Sequence, residues 1–430
     1  MPPTHFLTAT QAADALGITR ATLYAYTSRG QLRSETVPGR TRERRYYRED
    51  VDRLKERKVA RRDPSKAAAH GLHWGEPVLE SGITLIHGGT FYYRGHDAVK
   101  LARTASVEDV AALVWGASDA ERERLFDQPN PLHARQLAQL DRFPTDARSR
   151  IQAALPLAGA GDDSSFDLRP GAVRATGARI MRLAASIVAD GTARGPIHQA
   201  LQAAWAPKRS AVGNVIRTAM VLCADHELNI SAFAARCAAS AGASPYDVVS
   251  AALATLKGYK HGGASERMLS LVRQAVSART ARTAIVERLR QGERVPGFGH
   301  PLYPTGDPRA AALIALAEAS GNDTACRPFR HLVKAGTELL NDEPNLDFGL
   351  AAITRAYRLP DEAPFLLFAL GRTVGWIAHA MEEYASGHLI RPRAKYTGRM
   401  PVTDIELTTN APHPGQRPPM VSPRARTRKT

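Results

Sequence analysis

The sequence has no uninterrupted apolar run of about 18 residues, the length a membrane-crossing helix needs. Its first residues also lack the basic, apolar and small-residue succession of a secretion signal. Membrane insertion and export are unsupported, so the expected location is the cytoplasm and no membrane partner is expected. Cysteine is scarce: Cys223, Cys237 and Cys326 are the whole complement. An odd number without metal-ligand spacing argues against a disulfide framework or a thiolate metal centre, and these residues are expected to be small buried hydrophobes.

Acidic residues are absent from 411–430, which carries 5 Lys/Arg, whereas residues 1–62 hold 14 Lys/Arg against 7 Asp/Glu. The two ends thus carry 12 of the formal +16, leaving +4 for the long middle. The basic character belongs to the appendages, and a polyanionic partner would meet the ends.

What is present is length and apolar content. At 430 residues and 43% hydrophobic composition, the chain exceeds the size at which single cores divide, about 250–300 residues, and predicts two or more globular units.

The first 60 residues read as a small DNA-binding module. In "TATQAADALGITRATLYAYTSRGQL", Ala12, Ala13 and Leu16 share a helical face, Gly17 breaks the helix, and Thr19 caps a second helix that contains Leu23 and Tyr24. That second helix offers Arg20, Thr22, Tyr26 and Arg29 to phosphates and base edges. "VPGRTRERRYY" then predicts a hairpin carrying Arg40, Arg42, Arg44 and Arg45, followed by the basic helix "REDVDRLKERK". The arrangement resembles the winged helix-turn-helix of MerR-like and excisionase-like proteins, which makes Arg20, Thr22, Tyr26, Arg29, Arg42, Arg44 and Arg45 candidate DNA contacts. A basic module that meets only protein is the alternative.

Residues 61–72 lack an apolar period and read as a linker. "SGITLIHGGTFYYRGHDAVKLA" alternates apolar and polar residues around Gly88-Gly89 and predicts a hairpin; from "SVEDVAALVWG" onward the pattern is helical. The fold class is mainly α: a large helical body of two subdomains over 73–410, preceded by the winged module over 1–60. The Pro-rich, basic residues 411–430 are expected to be disordered.

Four stretches concentrate chemistry: "ADHELNISAF" with His226, "LKGYKHGGASE" with His261, "VPGFGHPLYPTGDPRA" with His300, and "EPNLDFG" with Asp347. His261 and His300 stand beside glycines, where backbone N–H groups are expected to be free for a ligand. Asp347 follows Pro344 and Asn345 at an expected helix start. One carboxylate and two imidazoles suffice to remove a proton from carbon beside a carbonyl and to hold the developing enolate charge.

These stretches, in this order, together with "FYYRGHD", "GRTVGWIAHAMEE" and "IRPRAKYTG", resemble the citrate synthase family over about residues 71–400. The resemblance implies condensation of acetyl-CoA or propionyl-CoA with oxaloacetate, with CoA as co-substrate, no permanently bound cofactor and no metal. It implies Asp347 as base, His261 as donor to the enol oxygen and His300 at the oxaloacetate ketone. It places His226, Arg309 and Arg372 on oxaloacetate and brings Arg391 from the second subunit of a homodimer with a shared active site. It sets Val295, Gly297, Gly299 and Asn345 beside CoA. Arginines suit a dicarboxylate because their planar forks bind it in two-point fashion. Of two departures, Tyr259-Lys260 before His261 sets a cation beside the enol donor, and "FGLAA" after Asp347 leaves the acyl preference open. A regulator whose body senses oxaloacetate or acyl-CoA without turnover is the second expectation.

Overall fold

The computed structural model describes residues 6–28, 32–37, 40–48, 50–51, 54, 79–127, 130–132, 134–140, 146–191, 193, 195–394 and 396–399. The expected linker and the expected disordered tail lie outside them. Contacts divide the chain into two compact units, Met1–His388 and Leu389–Thr430.

Near the start, β1 (Phe6–Thr8) precedes α1 (Ala9–Leu16) and α2 (Arg20–Ser28), and β2 (Ser34–Val37) and β3 (Arg40–Tyr47) form the expected hairpin. Thr8 and Gln11 close a reciprocal cap on α1, and Gly17, at φ 58°, ends it in the left-handed region, which costs an L side chain energy. Strand β1 was not expected. It pairs antiparallel with β3 from Phe6↔Tyr47 to Thr8↔Arg45, so the hairpin becomes a three-stranded sheet. Three residues directly before a helix are too few to show a strand period. Leu7, Ala12, Ala13, Leu16, Leu23, Leu32, Tyr46 and Val51 form the small core beneath this sheet.

The second hairpin is β4 (Thr84–His87) and β5 (Thr90–Tyr93), joined by Gly88 and Gly89 at φ 62° and 76°, with β6 (His96–Asp97) alongside. Two consecutive positive φ angles are what a tight two-residue hairpin turn demands. Helices then follow in series: α3 (Ala98–Thr104), α4 (Val107–Val114), α5 (Asp119–Leu125), α6 (Ala134–Leu140), α7 (Ala147–Ala160), α8 (Pro170–Val188), α9 (Ile197–Trp205), α10 (Val212–Cys223), α11 (Ile230–Ser240) and α12 (Pro245–Leu256). After them come α13 (Ala264–Gln274), α14 (Ala278–Arg290), α15 (Pro308–Ala319), α16 (Asp323–Leu340), α17 (Leu346–Ala356) and α18 (Ala363–Ser386).

Buried side chains from Ile83 to Ala380 make one contiguous core. Helix α18 runs through it against α8, α10, α11 and α12 and is buried along most of its length, carrying Arg372, Thr373, His379 and Glu383 inside with its apolar residues. Among the described residues no helix is long and apolar enough to cross a membrane. Cys223 and Cys326 are buried as expected, while Cys237 is only partly so.

The chain repeatedly starts a helix with a side-chain cap just where a candidate residue stands. Asn229 caps α11 three residues after His226, Asp307 caps α15 two before Arg309, and Asn345 caps α17 two before Asp347. Capping fixes both the backbone direction and the first-turn side chains.

Candidate active site

His226 and His300 meet edge to face, with ring centroids 5.1 Å apart. Leu302 donates its backbone N–H to His300 Nδ1 at 3.2 Å, so the neutral ring carries its proton on Nε2. Burial, with the Arg309 charge beside it, pushes His300 down to about 4. His226 is buried, its Nε2 is 2.9 Å from the Tyr303 hydroxyl, and burial plus Arg309 and Arg372 hold it well below the ordinary imidazole range. His261 Nε2 lies 3.0 Å from Ser231 Oγ, and burial with the nearby Arg372 pushes it too down to about 4. All three rings are neutral donors or acceptors near pH 7.

The two internal arginines differ. Arg309 is 3% exposed, and Asp307 takes its fork at two points, Nε to Oδ1 at 2.9 Å and Nη2 to Oδ2 at 2.7 Å. Arg372 is 1% exposed, donates Nε to the Cys223 carbonyl at 2.7 Å and lies over the Phe368 ring. Its Nη1 has no hydrogen-bond partner, and among the described residues no carboxylate forms an ion pair with it. Burial accordingly pushes the Arg372 guanidinium down, and it stands close enough to His226 and His261 to act on both. The buried Asp225 carboxylate acts on it from beyond ion-pair distance and offsets the cost of burial only in part, so an anion offered to the open nitrogen gains.

Asp347 stands in the first turn of α17, its backbone N–H bound to the Asn345 cap at 3.1 Å. Ser265, in the first turn of α13, donates its hydroxyl to Asp347 Oδ1. Burial raises the Asp347 carboxyl, and the Ser265 hydrogen bond and Arg309 oppose that only in part. Its carboxylate is therefore a stronger base than an exposed aspartate.

The glycine expectation is corrected. Gly299 N donates to the Glu343 carbonyl at 2.9 Å and Gly262 N to the Leu256 carbonyl at 2.9 Å, so neither N–H is free for a ligand. The segment Val295–Gly299 pairs with 343–345 instead: Phe298 bridges Pro344, Asn345 N donates to Gly297 O at 2.9 Å, and Asn345 Nδ2 donates to Gly299 O at 3.1 Å. Gly297, at φ 85°, is needed for packing, since a Cβ there would sit 2.4 Å from Met268 Sδ. Val295 is buried. Arg391 is exposed and belongs to the second unit.

In the small N-terminal module the exposed face of α2 is Arg20, Ala21, Tyr24 and Ser28, while Leu23 is fully buried. Tyr26 is half-buried against the small core, and Tyr24, 51% exposed, stands further out on the same helix. Arg20 donates to the Thr10 hydroxyl and Thr22 N to Thr19 Oγ1. Arg44 is exposed and reaches Ser34 Oγ at 3.3 Å, whereas Arg45 pairs with Glu35 and covers the Phe6 ring. Arg29 and the Arg42 side chain lie outside the described residues.

Four residues at the site escaped the sequence reading: Ser231, Ser265, Tyr303 and Asp307. Asp307 had a signal, since Asp-Pro at a helix start is a cap, and so had Tyr303, three residues after His300 across a Pro-containing turn. Among the described residues no group of three or more His, Cys, Asp or Glu is placed to hold a metal ion.

A helical body that gathers three neutral imidazoles, a half-buried carboxylate and a buried guanidinium with one open nitrogen holds the groups of an acid–base enzyme. The family of citrate synthases, by its C-terminal domain, matches residues 71–393, and a helix-turn-helix domain matches residues 6–59. The chain belongs to the citrate synthase family and is an enzyme of that type, with an excisionase-like helix-turn-helix domain before it.

It is similar to the citrate synthase of Haloferax volcanii, 31% identical over 370 residues that cover 78% of this chain and 96% of that protein. Citrate synthase 2 of Bacillus subtilis is 27% identical over 362 residues, covering 77% and 96%. Among solved structures, the Thermotoga maritima citrate synthase superposes with a TM-score of 0.66 at 26% identity, covering 77% of this chain and 97% of that one. The Thermoplasma acidophilum enzyme, in ternary complex with carboxymethyl coenzyme A and oxaloacetate, shares the fold at TM-score 0.66 and 24% identity, covering 79% and 99%.

Proposed function

We propose that the chain condenses oxaloacetate with acetyl-CoA or propionyl-CoA to citrate or 2-methylcitrate and free CoA. The observation that carries this reading is Arg372: a guanidinium buried to 1%, with one nitrogen unpartnered, beside two neutral imidazoles. That arrangement suits the carboxylate of a substrate that also carries a carbonyl to be hydrogen-bonded.

In this reading the Asp347 carboxylate takes a proton from the carbon next to the acyl thioester, and that C–H electron pair becomes the enol double bond. His261, its Nε2 held 3.0 Å from Ser231 Oγ, is the donor to the enol oxygen. The enol carbon attacks the ketone carbon of oxaloacetate while His300 Nε2–H protonates the ketone oxygen. Water then cleaves the citryl thioester and releases the thiol. His226, Arg309 and Arg372 hold oxaloacetate, with Asp307 aiming Arg309, and Arg391 completes the site from the partner of a homodimer. The backbone of Val295–Gly299 and Asn345 lines the CoA side.

The module over 1–60, joined through 61–72 to the body over 73–410, binds duplex DNA by the Arg20–Tyr24–Ser28 face of α2, with Arg44 on the wing. The exposure of Tyr24 and its helical phase with Arg20 support this. Thiol release followed with acetyl-CoA and with propionyl-CoA, each with and without oxaloacetate, tests the reaction. Oxaloacetate-dependent release with either thioester supports it. Oxaloacetate binding without release from either supports the sensor instead.

A further inference from the structure

Tyr303 stands in this site without a task in the condensation. Its backbone N–H closes a turn onto the His300 carbonyl at 2.9 Å, with Pro301 inside the turn, and its ring lies 5.1 Å from the His300 ring. The side chain is 3% exposed. The hydroxyl is 2.9 Å from His226 Nε2, and the Arg309 guanidinium lies 5.5 Å over the ring. One buried phenol therefore touches three groups assigned to oxaloacetate.

We propose that Tyr303 is a positioning residue that sets oxaloacetate affinity through His226, its hydroxyl donating to Nε2 and holding that ring neutral in one tautomer and one orientation. The proposal rests on the condensation reading above. Burial raises the phenol, so it stays protonated and remains a donor across the working pH range. A hydrogen bond donated to a ring nitrogen's lone pair favours the neutral imidazole. The other groups that act on His226 are Arg309, Arg372 and His300, and each disfavours a further positive charge. Phe91 closes another side of the ring edge-on, with centroids 6.1 Å apart. With His226 locked, the two arginines supply the positive charge and the ring supplies shape. Without the hydroxyl, Nε2 is left as a buried acceptor that an incoming dianion can drive to take up a proton.

Tyr303→Phe keeps the wedge and removes the hydroxyl. Steady-state thiol release and calorimetric oxaloacetate binding are compared for wild type, Y303F, H226Q and the double variant between about pH 6 and 9, the range in which histidine titration is read. The expected result is an oxaloacetate KM raised about tenfold in Y303F, the size of one unsatisfied buried hydrogen bond. Its kcat at saturating oxaloacetate and its KM for acyl-CoA stay near wild type. The raised KM falls toward acid in Y303F alone, and Y303F adds nothing in the H226Q background.

A Y303F enzyme with the wild-type KM and pH dependence overturns the proposal, as do losses that add independently to those of H226Q. A lowered thermal midpoint with kcat and both KM values impaired overturns it too, in favour of a packing role. Wild-type protein that neither releases thiol nor binds oxaloacetate removes the condensation reading and this proposal with it.

Discussion

Asp307 grips the Arg309 guanidinium at two points, 2.9 and 2.7 Å, and its Oδ2 also accepts the backbone N–H of Leu346 at 3.1 Å, one residue before Asp347. The loop that carries His300 and the helix that carries Asp347 are thus tied through one carboxylate, which the Arg309 charge holds below its usual range against the cost of burial. Arg309 is paired within the fold. Arg372 makes no such ion pair among the described residues, and Asp225 acts on it only at a distance.

That contrast separates two substitutions that a list of binding arginines would treat alike. Arg309→Leu leaves Asp307 buried and unpaired, and is expected to lower unfolding stability by about 3–5 kcal/mol, measured by denaturant titration. Arg372→Met removes a buried charge that makes no ion pair among the described residues and feels Asp225 only at a distance, so its stability loss is expected to be clearly smaller than that of Arg309→Leu. Oxaloacetate binding by calorimetry should nevertheless weaken by about 2–5 kcal/mol. Equal stability losses in the two variants would show that Arg372 has a partner within the fold.

The acid side of the rate profile follows from Asp347. Its carboxyl is raised by burial, and the base form is the active one, so kcat/KM is expected to fall as pH drops through a value above the ordinary carboxylate range. His261 and His300, down to about 4, contribute no inflection near the ordinary 6.5. An activity inflection near 6.5 that persists at saturating oxaloacetate would place a protonated imidazole in the mechanism.

Stability should respond in the opposite direction to these same groups. The folded histidines bind protons less readily than the unfolded ones, so their contribution is full above about 6.5 and is lost as pH falls toward 4. Asp347 binds its proton more readily when folded, so its ionisation costs stability as pH rises through its folded value. Asp347→Asn is expected to raise the thermal midpoint at neutral pH, read by calorimetry. A lowered midpoint would show that the carboxylate is held by more than the Ser265 hydroxyl.

Within the small module, Tyr24→Ala and Arg20→Ala are expected to weaken binding to duplex DNA, with Arg20→Ala also reducing the log–log salt slope by about 0.9 if it neutralises one phosphate. Tyr26→Ala should instead destabilise the fold, because Tyr26 packs on the small core. Titrations of full-length variants against random duplex at several salt concentrations check this. Unchanged affinity and slope in both exposed-face variants would favour the protein-contact alternative.

The site was largely legible because its chemistry sits on helix caps and turns, which short motifs record well. Asn345 before Asp347 and Asp307 before Arg309 are local signals, and the structure brings His226, His261, His300, Arg309, Arg372 and Asp347 into mutual reach. The partners that tune them come from distant segments. Ser265 meets Asp347 across 82 residues and Ser231 meets His261 across 30, so no local pattern could pair them. The free N–H groups expected beside the histidines misled at Gly262 and Gly299, because each N–H bonds a carbonyl brought to it by the fold. Tyr24 was passed over as a contact: Leu23 marks the inner face, and Tyr24, four residues after Arg20, lies with it on the outer one, while Tyr26 is half-buried. Strand β1 is set by its pairing with β3, information that Phe6–Thr8 does not contain.

The central claim is that Asp347 removes the proton that starts the condensation, and the most direct measurement is thiol release by wild type and Asp347→Asn at saturating oxaloacetate and acyl-CoA. The account predicts oxaloacetate-dependent release by the wild type and a fall of about 10²–10⁴-fold in kcat for the variant, with oxaloacetate binding nearly unchanged. A variant that turns over at the wild-type rate would contradict it.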